Sequence, residues 1–219
     1  MRTGDSLKIF KYDATPYVLQ YTIKPDTIRQ ELFPAQNRTS SDTFVRSDSV
    51  SATPVITPQG VTDKSVLANA PKPDIVIAGE KKKAGIVVDI STNILYRYDK
   101  NGNPINAYLI ASGKKSTPTD KGVRIVTHTE KYPYRSAVGT KRRRNPKDYG
   151  PFAIILKKID VKTGEQSKTG EFIHGCRSYQ DTFETDPDRY VSHGCVRMDN
   201  DIIKELAPKV QKGEIVIIK

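Results

Sequence analysis

The sequence predicts a mostly β domain, a sandwich with one short helix, preceded by an N-terminal extension. Three observations carry this. Runs of four to eight residues rich in Ile, Val and Tyr recur from residue 85 onward, and such residues suit a pleated, half-buried surface. An Asn-Gly pair at 101–102 lies between two of these runs and is the strongest short hairpin signal. Helical spacing is convincing in one place only, from Asp201 to Ala207.

The elements follow in order. GIVVDIS (85–91) and NILYRYD (93–99) read as strands around a tight turn at Thr92. KNGN (100–103) turns the chain into PINAYLIAS (104–112). After Gly113 and a polar stretch with Pro118, GVRIVTHTE (122–130) alternates apolar and polar positions. FAIILKKID (152–160) and EIVIIK (214–219) complete the set. In the helix, Ile202, Ile203 and Leu206 share one face, Asn200 is the expected cap, and Pro208 limits the end.

Residues 1–79 are expected to be an extension and linker, partly disordered, and residues 80–219 the catalytic domain. Gln36 to Pro73 is rich in Ser, Thr, Pro, Asp and Asn, with isolated apolar residues of no sustained period, the pattern of a flexible linker. Residues 7–33 contain two β-like runs that would form a hairpin or dock as strands. The chain carries a net charge of +11, and nearly all of it belongs to the part after residue 79. That favours an anionic partner such as nucleic acid, a membrane surface or an acidic wall polymer. No segment is apolar and long enough to span a bilayer. The start, MRTGDSLKIF, shows no export signal, because Gly4, Asp5 and Ser6 stand where an apolar core should begin.

The chemistry lies between Phe172 and Met198. Two of the three histidines and both cysteines fall there, and Ser192-His193-Gly194-Cys195 follows His174 after 17 intervening residues. A thiolate attacks far better than a thiol. An imidazole within reach can take the proton and return it to a leaving amine. Its other nitrogen must be held, and the developing oxyanion needs backbone N–H donors. Gly194 lets the chain turn tightly next to the thiol.

This arrangement closely resembles the signature of YkuD-type L,D-transpeptidases: Ile173-His174-Gly175, a spacer, then Ser192 to Met198 (SHGCVRM). The similarity extends to residues 86–126, with the Ser-Gly-Lys turn at 112–114 and TPTDKG at 117–122, and to Asn200, Asp201, Gly213 and the final strand. It covers about residues 84–219, and residues 1–79 match no known pattern. The resemblance implies a YkuD-like β-sandwich of mixed sheets with one or two short helices. It also implies roles. Cys195 would be the nucleophile and His174 the general base and acid. The Gly175 carbonyl would orient the His174 ring, and the N–H groups of His193, Gly194 and Cys195 would form the oxyanion hole. Ser192, His193 and Arg197 would shape the pocket, Arg197 pairing with a stem carboxylate. The implied reaction takes a peptidoglycan tetrapeptide stem, releases its terminal D-Ala, and passes the acyl group to an amine. Water as acceptor would make an L,D-carboxypeptidase, a protein lysine would make an anchoring enzyme, and a module without turnover would only bind the wall. The substrate implies the cell envelope, periplasm or wall.

Other features stay open. Cys176 stands where the family commonly has Thr or Ser; it is read first as a small buried thiol and second as a redox partner of Cys195. His174, Cys176, His193 and Cys195 form two His-x-Cys pairs, but zinc modules separate paired ligands by two to four residues, so neither metal nor cofactor is expected. His128 reads as an ordinary strand residue. Lys141-Arg142-Arg143-Arg144, with Tyr132, Tyr134 and Tyr149 around it, suggests contact with anionic glycan or teichoic polymer rather than specific nucleic acid. Tyr134 is counted among the substrate-binding candidates.

Overall fold

A computed structural model describes residues 56–134 and 146–219. In chain order the strands are β1 (Asp74–Ile77), β2 (Glu80–Lys83), β3 (Ile86–Asp89), β4 (Ile94–Tyr98), β5 (Pro104–Leu109), β6 (Ser112–Gly113), β7 (Gly122–Lys131), β8 (Phe152–Ile159), β9 (Gln166–His174), β10 (Tyr190–Ser192), β11 (Val196–Arg197) and β12 (Ile215–Ile218). Helix α1 is Lys64–Leu67 and helix α2 is Asn200–Leu206. The fold is mostly β, as expected, with few short helices.

Eight strands make one sheet in the order β11-β9-β8-β7-β12-β3-β4-β5. It is mixed: β12 runs parallel to β3 and β11 parallel to β9, while the other neighbours are antiparallel. The sheet curls until its two ends meet. Ala111, just beyond β5, bridges Arg197 of β11, with N–H to carbonyl bonds of 3.0 and 2.8 Å in both directions. The other side of β5 is also taken, because Val61 exchanges bonds with Ala107 and Leu109 N–H donates to Thr57 O at 2.8 Å.

Alternation along the strands sorts the apolar residues onto two faces. Ile86, Val88, Leu95, Val126, Ile154, Leu156, Ile173, Val196, Val216 and Ile218 fill the inside of the curl together with Ile203 and Leu206 of α2. Val87, Tyr96, Tyr98, Val123 and Ile215 face outward and are covered by Leu67 of α1 and Ile77 of β1. A third cluster, Tyr134, Ala153, Ile155 and Phe172, covers β8 and β9 on the side that carries Cys195.

Turn chemistry is local. Asp99 Oδ1 accepts from the N–H groups of Asn101 and Asn103, each at 2.8 Å, and Gly102 takes φ +83°, so the Asn-Gly pair works inside an aspartate-closed loop. Helix α2 begins at Asn200, but its cap is Asp199, whose Oδ1 accepts from Asp201 N and Ile202 N. Asn200 does not cap because its amide is spent elsewhere: Oδ1 accepts from Cys176 N at 2.9 Å and Nδ2 donates to Cys176 O at 3.0 Å.

The expected domain boundary at 79/80 lies among described residues that contact the sheet. Contacts divide the chain into units Met1–Val50 and Ser51–Lys219. The described part of the expected linker packs on the sheet through Val61 and through Leu67, which is 4% exposed. The strand-like runs in 7–33 lie outside the described residues. Three elements had no clear sequence signal: the β1–β2 hairpin, the polar first half of β9, and the short pair β10–β6.

Candidate active site

The site is assembled where β9 and β11 run side by side. Val196 pairs with Ile173 and Arg197 with His174. Alternate residues face opposite sides of a sheet. Val196 and Ile173 are in the inner core, so Cys195, Arg197 and His174 share the outer face. All three line a cavity of about 160 Å³, together with Asp148, Tyr149, Ser192 and His193.

His174 is 3% exposed, and its Nδ1 hydrogen-bonds to Gly175 O. A carbonyl only accepts, so Nδ1 carries the hydrogen and the neutral ring keeps Nε2 as its acceptor. The Tyr149 ring lies against the imidazole with centroids 4.8 Å apart, and the His174 carbonyl accepts from Met198 N at 2.8 Å. Base and strand are thus held from both sides. Gly175 has no room for a side chain, since a Cβ there would meet Asn200 Oδ1 at 2.4 Å.

Cys195 follows a turn that depends on Gly194 at φ +109°, a conformation L side chains rarely adopt. The Cys195 thiol lies 3.8 Å from Gly170 O. Ser192 organises this turn. The residue is 1% exposed, and its hydroxyl donates to Cys195 O at 2.5 Å and accepts from Gly194 N at 3.1 Å. Two expectations change here. Ser192 lines the cavity, but its hydroxyl is committed to the turn rather than presented to a ligand. The Gly194 N–H is likewise engaged, donating to the Ser192 hydroxyl. His193 is exposed and lines the cavity.

A polar loop packs beside the turn that precedes Cys195. Thr119 Oγ1 accepts from Gly113 N at 2.9 Å, and Lys114 N donates to Ser192 O at 3.0 Å. Behind it Arg124, fully buried, donates from Nε and an Nη to Glu171 Oε2 at 3.0 and 2.7 Å, and to Asp120. Glu171 stands three residues before His174 on β9, so one buried ion pair fixes the loop relative to the base. Lys158, and then Arg124, hold the Asp120 carboxyl below the usual carboxylate range.

Other candidates fall elsewhere. Tyr134 does not line the cavity. Its hydroxyl donates to the carbonyls of Tyr149 (3.0 Å) and Gly150 (2.5 Å), and burial pushes its pKa up. It braces the segment that carries Tyr149. Cys176 is a free thiol, 2% exposed, with its own backbone tied to Asn200, five residues beyond Cys195. Burial raises its pKa, and it does not line the cavity. His128 is half-exposed on β7 and contacts Glu130 at 2.8 Å. Among the described residues no cluster of three or more His, Cys, Asp or Glu is placed to hold a metal ion, and no helix is long and apolar enough to cross a membrane. The basic run 141–144 lies outside the described residues. Asp148 and Tyr149 were missed as lining residues, because only the tertiary fold brings them to His174.

A family model described as YkuD, L,D-transpeptidase catalytic domain, matches residues 83–218. Among solved structures, a mutant of the Enterococcus faecium L,D-transpeptidase is 25% identical, with 63% of this chain and 50% of that one covered and a TM-score of 0.43. L,D-transpeptidase 3 from Mycobacterium tuberculosis is 16% identical over 64% of this chain and 65% of its own, TM-score 0.45. The helical cell shape determining protein Pgp2 from Campylobacter jejuni is 18% identical over 67% and 47%, TM-score 0.42. The chain thus spans about half the length of the Enterococcus faecium structure. No curated protein sequence matches it. With well over half of its length matched by one family model, carrying the His-Gly and Ser-His-Gly-Cys segments on adjoining strands, the chain belongs to the YkuD family of L,D-transpeptidase catalytic domains.

Proposed function

We propose that the protein is an L,D-transpeptidase of the bacterial cell envelope that acts on peptidoglycan stem peptides through Cys195. The observation that carries this is the meeting of Cys195 and His174 on one cavity wall, with the His174 Nδ1 hydrogen spent on Gly175 O. That tautomer leaves Nε2 to accept the thiol proton, the arrangement a thiol nucleophile needs. The Cys195 sulfur attacks the carbonyl of the third stem residue. The C–N bond to the terminal D-Ala breaks, and the proton held by His174 goes to the leaving nitrogen. In this reading backbone N–H groups of the His193–Cys195 turn stabilise the developing oxyanion. An amine of a second stem then attacks the thioester, its proton passes to His174, and the sulfur leaves. Tyr149 packs on the base and restricts its ring. The net charge of +11 supports retention near anionic wall polymers.

The test is incubation with a purified tetrapeptide stem. Wild-type protein is expected to release D-Ala, and Cys195→Ala to release none. Binding without release by the wild type would leave a wall-binding module instead. Repeating the assay with and without an added amine separates transfer from hydrolysis.

A further inference from the structure

The base is held through a carbonyl whose own residue does not fix it. His174 Nδ1 donates to Gly175 O. Glycine has the widest backbone freedom, so the direction of that carbonyl must be set from outside. The same peptide unit ends in Cys176 N–H, which donates to Asn200 Oδ1 at 2.9 Å, while Asn200 Nδ2 donates to Cys176 O at 3.0 Å. The ladder between β9 and β11 runs on to a bond of 2.8 Å from Met198 N to His174 O. Beyond it the Asn200 amide bonds to Cys176 as a neighbouring strand would.

Glycines make room for this amide. A Cβ on Gly150 or on Gly175 would stand 2.4 Å from Asn200 Oδ1. Gly150 follows Tyr149, whose ring lies 4.8 Å from the His174 ring. Asn200 thus sits where the base strand, the Tyr149 segment and the start of α2 meet. Capping does not account for its contacts, because Asp199 caps the helix.

We propose that Asn200 is a positioning residue for the base: through the Gly175–Cys176 peptide it fixes the tautomer of His174 and strengthens the acceptor that holds the ring. This rests on the acyl-transfer reading above and adds a residue, outside the cavity lining, that acts on it. The physical chain is short. Donation from Cys176 N–H to Asn200 Oδ1 shifts electron density within the peptide onto Gly175 O, and hydrogen bonds in series strengthen one another. A stronger acceptor for Nδ1–H favours the imidazolium, since that bond becomes charge-assisted once Nε2 takes a proton. It also keeps the neutral ring's hydrogen on Nδ1, so that Nε2 stays an acceptor. The other titratable or charged groups on the cavity wall with His174 are Asp148, Tyr149, His193, Cys195 and Arg197. All of them are kept when Asn200 alone is replaced.

The experiment is an NMR titration of the imidazole nitrogens in the full chain, with His174 assigned by its loss in His174→Gln. In the parent the neutral ring is expected as the Nδ1–H tautomer. In Asn200→Ala its pKa should fall and the Nε2–H tautomer should appear. D-Ala release from the tetrapeptide stem should lose about 10- to 100-fold in kcat with KM little changed, the size found for hydrogen-bond partners behind a metal-ligating histidine. Asn200→Asp keeps an acceptor for Cys176 N–H, so it should hold the Nδ1–H tautomer with a pKa at or above the parent's. Asp199→Ala disturbs the same helix start by removing its cap and should leave the His174 titration unchanged. An unchanged His174 pKa and tautomer in Asn200→Ala, or the same change in Asp199→Ala, overturns the proposal. Should Asn200→Ala not fold, Asn200→Asp decides, and a His174 pKa below the parent's overturns it. The ring titration needs no turnover, so a wild type that releases no D-Ala would strike the acyl-transfer reading and leave the titration result standing.

Discussion

At the scale of single residues, the two thiols have opposite environments. Cys195 lines the cavity, whereas Cys176 is 2% exposed and its pKa is raised by burial. Iodoacetamide at neutral pH is therefore expected to modify Cys195 in folded protein and Cys176 only after denaturant, as peptide mass mapping would show; equal labelling of both would contradict the assigned burial. The raised pKa has a stability consequence. Folded Cys176 holds its proton where the unfolded thiol, with a pKa of about 8.5, releases it. Its contribution is full below that value and declines as pH rises toward the folded pKa, so urea midpoints should fall on the alkaline side and Cys176→Ser should lessen that fall. The sequence made Cys195 and His174 legible because thiol chemistry restricts both residue types and their surroundings. Ser192 was legible as a site residue but not in its duty, since the motif does not tell whether a hydroxyl faces a ligand or its own turn. Asp148 and Tyr149 carry no local signature at all.

At the scale of elements, the ion pair between Arg124 of β7 and Glu171 of β9 ties the polar loop that ends at Asp120 to the strand that carries the base. Removing one member of a buried pair strands the other charge. Glu171→Gln is expected to cost about 3–5 kcal/mol of stability, while replacing both residues by apolar ones should cost much less. Urea denaturation of the single and double variants measures the difference. The strands β3 to β5, β7, β8 and β12 were readable because branched and aromatic residues concentrate in them. The first half of β9 (QSKTG) was not, as it is polar and exposed and is held by ladder bonds to β8 rather than by its side chains. The helix was readable, but its cap was misplaced by one residue. Neighbouring Asp199 and Asn200 are both good caps, and only the contact with Cys176 decides between them.

At the scale of the whole molecule, the segment before β3 is a working part of the fold. A chain starting at residue 80 would lose Leu67 and Ile77 from the outer cluster, together with the bridge from Val61. Each such side chain contributes about 1.5–3 kcal/mol when buried. A chain of residues 80–219 is thus expected to be about 3–6 kcal/mol less stable than one of residues 51–219, as paired thermal and urea melts would show. A composition rich in Ser, Thr and Pro hid this, because the few apolar anchors are spaced to suit a surface supplied by other strands. The meeting of Ala111 with Arg197, and of residues 57–61 with β5, has a further effect. At these rungs neither margin of the large sheet offers vacant N–H or carbonyl groups to a foreign strand, and the exposed ribbon β2 is armoured with Lys81, Lys82 and Lys83. At these rungs a foreign strand would find no backbone to pair with, so strand addition there is expected to be blocked.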